Sequence, residues 1–153
     1  MIDRRLFVGS LGAAALIGFG GRADAALGSF VMWHSPGCGC CLEWANRVEK
    51  AFGRKLPIVE AADMAQVKRA QGVPKALHSC HTALIGGYAI EGHVPPADIR
   101  RLIASKNKKV RGLAVPGMPL GSPGMDVGHD EKQPYQVVAF AADGRRFVFA
   151  RYG

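Results

Sequence analysis

The chain has 153 residues and carries 20 lysines and arginines against 12 aspartates and glutamates, a formal net charge of +8. That length allows one domain, large enough to bury a core without covalent staples. A basic balance suits nucleic acid, but the opening segment argues against that partner because it reads as an export signal.

In that segment Arg4-Arg5-Leu6-Phe7 precede an apolar stretch from Val8 to about Phe19, and Ala23-Asp24-Ala25 supply the small residues of a cleavage site. This is the pattern of a signal peptide over residues 1–25. The apolar run is shorter than the roughly 20 residues that span a bilayer, and the paired arginines followed by x-Phe resemble a twin-arginine signal. The expected mature chain, 26–153, keeps 17 basic and 10 acidic side chains and a net charge of +7. It is expected in the periplasm, with no nucleic acid and no membrane attachment after cleavage. Its densest basic run, Lys106 to Arg111, reads as a solvated helix end.

Phe30 to His34 is β-branched or aromatic enough for a buried strand. After Pro36-Gly37, the apolar positions Cys41, Trp44, Ala45, Val48 and Phe52 recur at helical spacing, and Gly53 supplies a stop. Leu56 to Val59 is a second short strand. Asp63 with Gln66 forms a capping box that opens a helix closed by Gly72-Val73-Pro74. Thr82 to Ile85 and Tyr88 to Glu91 flank Gly86-Gly87 as a hairpin. Pro95-Pro96 start a helix carrying Ile99, Leu102 and Ile103. Tyr135 to Phe140 and Arg146 to Tyr152 flank Asp143-Gly144 as a second hairpin.

Between about Val110 and Pro134 no period is visible, and Gly, Pro and Met punctuate the chain. Long segments of this kind inside compact domains are functional or disordered. A strand feeding a helix whose first turn carries cysteines, then β-α, then a hairpin and a helix, predicts an α/β thioredoxin-like single domain. To it are added the long Gly/Pro/Met loop and the C-terminal β-hairpin.

The chain has four cysteines, Cys38, Cys40, Cys41 and Cys80. Cys38 and Cys41 form a C-x-x-C pair at a helix start, where first-turn amides favour thiolates. Redox exchange and metal binding both want thiolates, so the pair alone does not choose. Cys40 favours metal: a third thiol beside a resolving cysteine opens competing disulfides, whereas a metal gains a donor. In a thioredoxin-like fold the segment entering the third strand approaches the C-x-x-C turn, and here it reads Ser79-Cys80-His81. A site of up to four sulfurs follows, with His81 beside it.

Pro36 to Cys41, Ser79-Cys80-His81-Thr82, Gly87 to Pro95, Gly112 to Pro119 and Gly121 to Met125 together resemble the exported metal-binding family among bacterial copper-resistance proteins of the CopG type. The resemblance covers about Phe30 to Tyr152 and is complete at the four cysteines. It implies a thioredoxin-like fold, a periplasmic location and copper on cysteine thiolates. It does not hand over a reaction.

Thiolates favour Cu(I), zinc and iron-sulfur clusters. One Zn²⁺ among four thiolates leaves a local charge of −2, whereas four Cu(I) ions bridged by four thiolates are neutral, and buried net charge is costly. The expected cargo is therefore copper as Cu(I) on a polynuclear site, for copper tolerance or handling, with copper redox or electron transfer as an added role and other periplasmic copper-handling proteins as candidate partners. The alternatives are an iron-sulfur or zinc protein, and a thiol-disulfide oxidoreductase with Cys38 as nucleophile and Cys41 as resolver. Met118 and Met125 are soft donors in the loop, which is expected to lie over the cysteines with one of them turned inward. His34 ends the first strand near Cys38 and is a candidate to tune the site. His93 reads as a turn or packing residue, and His129 as solvated.

Overall fold

The computed structural model describes residues 28–126, 128 and 130–153. The expected signal peptide, 1–25, and His129 lie outside the described residues.

Strand β1 (Phe30–His34) leads through Pro36-Gly37 into helix α1 (Gly39–Phe52), which ends at Gly53 with φ 67°, its N–H bonded to Glu49 O. A side chain in that left-handed conformation is strained, which is why glycine stops the helix. Strand β2 (Ile58–Glu60) runs parallel to β1, with Met32 opposite Ile58. Helix α2 (Met64–Ala70) opens on Asp63, whose carboxylate accepts Gln66 N–H at 2.9 Å. A single 3-10 turn, Lys75–Leu77, then delivers the chain to β3 (His81–Ile85).

Strands β3 and β4 (Tyr88–Glu91) pair antiparallel through Gly86 and Gly87, at φ 59° and 84°. Two successive positive φ values match the right-handed twist of the strands and suit glycine. Helix α3 (Pro96–Ser105) follows, then β5 (Gly112–Ala114), β6 (Tyr135–Phe140) and β7 (Arg146–Tyr152). The result is a mixed α/β domain with three α-helices among the described residues and one sheet in the order β2-β1-β3-β4-β5-β6-β7.

Neighbours on β3 assign the helices to faces, because successive strand residues point to opposite sides. His81 meets Trp44 of α1, whereas Thr82 is bonded by Lys68 of α2. Helices α1 and α3 therefore share one face and α2 covers the other. The main core lies under α1 and α3 and is built from Phe30, Met32, Trp44, Val48, Ala83, Ile85, Ile90, Ile99 and Leu113. A smaller cluster, Val73, Leu77, Ala89, Ala114 and Phe140, fills the opposite face.

The sequence reading treated Val110 to Pro134 as lacking regular structure, and β5 corrects its first part. Gly112–Ala114 sits between β4 and β6, parallel to the first and antiparallel to the second, and is buried throughout. A three-residue strand covered on both faces shows no alternation from which to recognise it. Gly112 is required there because a Cβ would strike Ala89 O and the Phe140 ring.

Candidate metal centre

Cys38 is the N-cap of α1, and the next turn brings Cys41 beneath it, where the two are joined in a disulfide with Cα atoms 5.4 Å apart. Cys40 and Cys80 are free thiols. The chain reaches Cys80 through the turn before β3, and its sulfur lands against the first turn of α1. All four Sγ atoms lie within 4.8 Å of one another, and Cys40 Sγ is 3.6 Å from Cys38 Sγ. The predicted convergence of residues separated by some forty positions along the chain is thus present in the fold. A closed disulfide carries no thiolate, however. The set acts as four soft donors only after Cys38 and Cys41 are reduced.

Imidazoles border the sulfurs. His81 Nδ1 is 3.3 Å and His93 Nε2 is 3.0 Å from Cys80 Sγ. Because Cys80 precedes the regular pleat of β3, it and His81 do not turn to opposite faces, so both remain at the site. His34 is buried at the end of β1 and stands directly opposite His81 in the ladder, its Nδ1 2.7 Å from Ser35 O. Burial first, and then the neighbouring His93, Lys68 and His34, holds His81 well below the usual histidine range. Burial also lowers His93, against the opposing hydrogen bond with Pro123 O. Both rings are therefore neutral at neutral pH, the form that ligates metals. The Cys80 thiol is pushed up to about 12 by burial and by the adjacent Cys40. It holds its proton until a metal displaces it.

A buried ion pair on the far face of β3 positions the Cys80 turn. Glu91 accepts Lys68 Nζ at 2.5 Å, Thr82 Oγ1–H at 2.7 Å and the backbone N–H of Ser79 at 2.6 Å. On the near side the Ser79 hydroxyl donates to Gly117 O, tying the turn to the long loop.

That loop is ordered over α1 without helix or strand. Leu120 and Gln133 exchange hydrogen bonds, and Arg47 holds Asp126 in a bidentate pair at 2.7 and 2.8 Å. Gly124, at φ 88°, presses on the first turns of the helix. A Cβ there would lie 2.8 Å from both Cys40 O and Trp44 N.

A family model described as "Protein of unknown function, DUF411" matches residues 77–125, a window that holds Cys80, His81, His93 and the loop. The chain is similar to a solved structure described as "Copper resistance protein copG- Form 2", at 42% identity over 83% of this chain and 98% of that one, with a TM-score of 0.75. It is similar also to "Copper resistance protein copG- Form 1", at 43% identity over 80% and 95%, with a TM-score of 0.73. No curated protein matches. The chain belongs to the CopG copper-resistance family.

In this CopG-family chain the cysteine positions chosen from sequence converge, and His81 joins them. The two methionines fare differently. Met118 is 51% exposed, so it is not the buried cover that the loop's composition suggested. The cover is supplied by backbone, at Gly124 and at Pro123, whose carbonyl meets His93. Met125 is half-buried in a turn closed by its own N–H on Ser122 O. His93, read from sequence as a packing residue, was missed as a neighbour of the site. Its only signal was its place just past β4, which pairs with the strand beginning at His81.

Proposed function

We propose that this protein is a periplasmic copper-binding protein that holds Cu(I) on a polynuclear cysteine-thiolate site, for copper tolerance or handling. The carrying observation is the approach of Cys38, Cys40, Cys41 and Cys80 to within 4.8 Å of one another. Thiolates are soft, and bridging thiolates neutralise several monovalent ions in a partly buried place that tolerates net charge poorly. The names of the two similar structures support copper as the cargo. We also infer that the core is thioredoxin-like. That reading is supported by the β2-β1-β3-β4 order, with β1 and β2 parallel and β3 antiparallel to both of its neighbours.

Loading requires the disulfide to open. A dithiol reductant supplies two electrons and two protons, releasing the Cys38 and Cys41 thiols and becoming a disulfide itself. The four thiols then give up their protons as copper binds. Ser79, held by Glu91 and Gly117, fixes where Cys80 presents its sulfur, while the loop over α1 limits access of water. Metal analysis of protein purified from its native compartment, with a thiol count on the same sample, tests the proposal. More than one copper per chain with all four thiols consumed is expected. Iron with inorganic sulfide, zinc held on all four thiolates, or metal-free protein would overturn it.

The closed Cys38–Cys41 bond at the start of α1 favours a second reading, a thiol-disulfide oxidoreductase in which Cys38 is the nucleophile and Cys41 resolves. Metal-free protein that reduces disulfides in a Cys38-dependent manner would establish that reading instead. The export expectation is tested separately: N-terminal sequencing of protein from the periplasm should begin at Ala26, and an intact Met1 there would reject it.

A further inference from the structure

We propose that Cys80, His81 and His93 form a second, mononuclear site for a divalent ion of borderline softness, of the zinc class, which operates while the Cys38–Cys41 disulfide is closed. Its donor atoms, one sulfur and two ring nitrogens, lie within 4.8 Å of one another. This site shares only Cys80 with the four-sulfur set. Closing the disulfide removes two donors from that set and none from this one.

The bonding of His93 makes it a ready ligand. Its Nδ1 lies 2.8 Å from Pro123 O. A carbonyl only accepts, so Nδ1 carries the proton and Nε2 presents its lone pair, 3.0 Å from Cys80 Sγ. A ring that donates one N–H to a backbone carbonyl and offers its other nitrogen is the arrangement that fixes metal-binding histidines. His81 contributes a separate observation. Its Nε2 is buried without a hydrogen-bond partner, and its ring is packed 4.4 Å from Trp44 and 5.1 Å from His93, centroid to centroid. Its other nitrogen, Nδ1, faces Cys80 Sγ at 3.3 Å, and an ion beside Cys80 would take the lone pair of that nitrogen in place of the thiol proton.

The spacing is close to what an ion needs. Tetrahedral zinc, with bonds of about 2.3 Å to sulfur and 2.0 Å to nitrogen, separates its sulfur and nitrogen ligands by about 3.5 Å. The observed separations are 3.0 and 3.3 Å, so binding needs each pair to part by about half an ångström or less. The Cys80 proton leaves to solvent as the ion binds. One thiolate and two neutral imidazoles leave a fourth position open, the donor count of an ion that can take a further ligand.

The test uses the full chain, disulfide closed and free of reductant, titrated with Co²⁺, which reports a thiolate ligand by charge-transfer absorption and does not oxidise thiols. About one equivalent should bind with tetrahedral visible bands, and Zn²⁺ should displace it. His93→Ala and Cys80→Ser should lose the charge-transfer band, while the double variant Cys38→Ser with Cys41→Ser should keep it. His81→Phe, which retains a ring against Trp44, should also lose the tetrahedral bands; it serves if His93→Ala fails to fold. Absence of the band, its persistence in His93→Ala and His81→Phe, or its appearance only after reduction would overturn the proposal. Cu(I) uptake by the reduced protein is measured alongside. Loss of Cu(I) uptake with Co²⁺ binding intact would overturn the four-sulfur reading alone, and the converse would overturn this one alone.

Discussion

Glu91 accepts the backbone N–H of Ser79 at 2.6 Å from inside the protein, so a fully buried carboxylate fixes the residue that precedes Cys80. The same carboxylate is neutralised by Lys68, itself 5% exposed. Neither residue reaches the sulfurs. Their effect is to hold the Cys80 turn in register with the first turn of α1, where the other three cysteines are.

This pairing predicts a strong asymmetry between single and double substitution. Glu91→Gln leaves the Lys68 ammonium buried without its counter-charge, and breaking a buried pair from one side costs about 3–5 kcal/mol. Lys68→Met alone leaves the carboxylate uncompensated and should cost a similar amount. The double variant Lys68→Met with Glu91→Gln removes both charges and should be more stable than either single one. Urea denaturation of the four proteins gives the cycle. Additive losses would show that the two groups do not depend on each other.

A cysteine series separates copper binding from disulfide chemistry. Bridging thiolates are not lost singly, so Cys40→Ser or Cys80→Ser should each lower Cu(I) stoichiometry in the reduced protein, as Cys38→Ser and Cys41→Ser should. A dithiol enzyme would lose disulfide reduction with Cys38→Ser or Cys41→Ser and tolerate the other two. Bicinchoninate competition for copper and an insulin-reduction assay, run on the same four variants, distinguish the patterns.

What could be read from sequence followed period and punctuation. Helix α1 was visible because Cys41, Trp44, Ala45 and Val48 recur on one face and Gly53 ends it. The β3–β4 hairpin was visible because Gly86-Gly87 names its turn. The meeting of Cys80 with the C-x-C-C turn was also legible, since β-α-β-α order brings the start of β3 back to the start of α1. Strand β5 was not, because Gly112–Ala114 is too short and too buried to alternate. Lys68 gave no sign of its partner, being one of two adjacent cations on a short helix. His93 gave none either: its approach to Cys80 depends on the pairing of β3 with β4 and on a carbonyl from the loop thirty residues away.

The loop over α1 should be sensitive to a single methyl group. Gly124 and Gly117 both have positive φ, 88° and 68°, but a Cβ on Gly124 would meet Cys40 O and Trp44 N, whereas one on Gly117 meets nothing within 4 Å. Alanine at either carries the strain of a left-handed conformation, about 1–2 kcal/mol. Only Gly124→Ala must also lift the loop from the helix. It should therefore melt at lower temperature than Gly117→Ala, and its Cys40 should react faster with iodoacetamide. Equal Cys40 reactivity in the two variants would show that the loop does not guard the sulfurs.

The methionines divide by burial. Met118 is exposed, while Met125 is half-buried in the turn that carries Gly124 onto α1. Leucine keeps the apolar bulk at either place and removes the sulfur. If the loop supplies a soft donor to copper, Met125 is the residue held near the helix that carries the cysteines. Met125→Leu should then speed Cu(I) transfer to a chelator several-fold with the melting temperature unchanged, and Met118→Leu should leave the rate near that of the parent protein. Peroxide supplies a check independent of copper, because Met118 should be oxidised before Met125, as peptide mass mapping would show. A Met118→Leu variant that releases copper faster, with Met125→Leu indistinguishable from the parent, would reverse the assignment and make the exposed thioether the ligand.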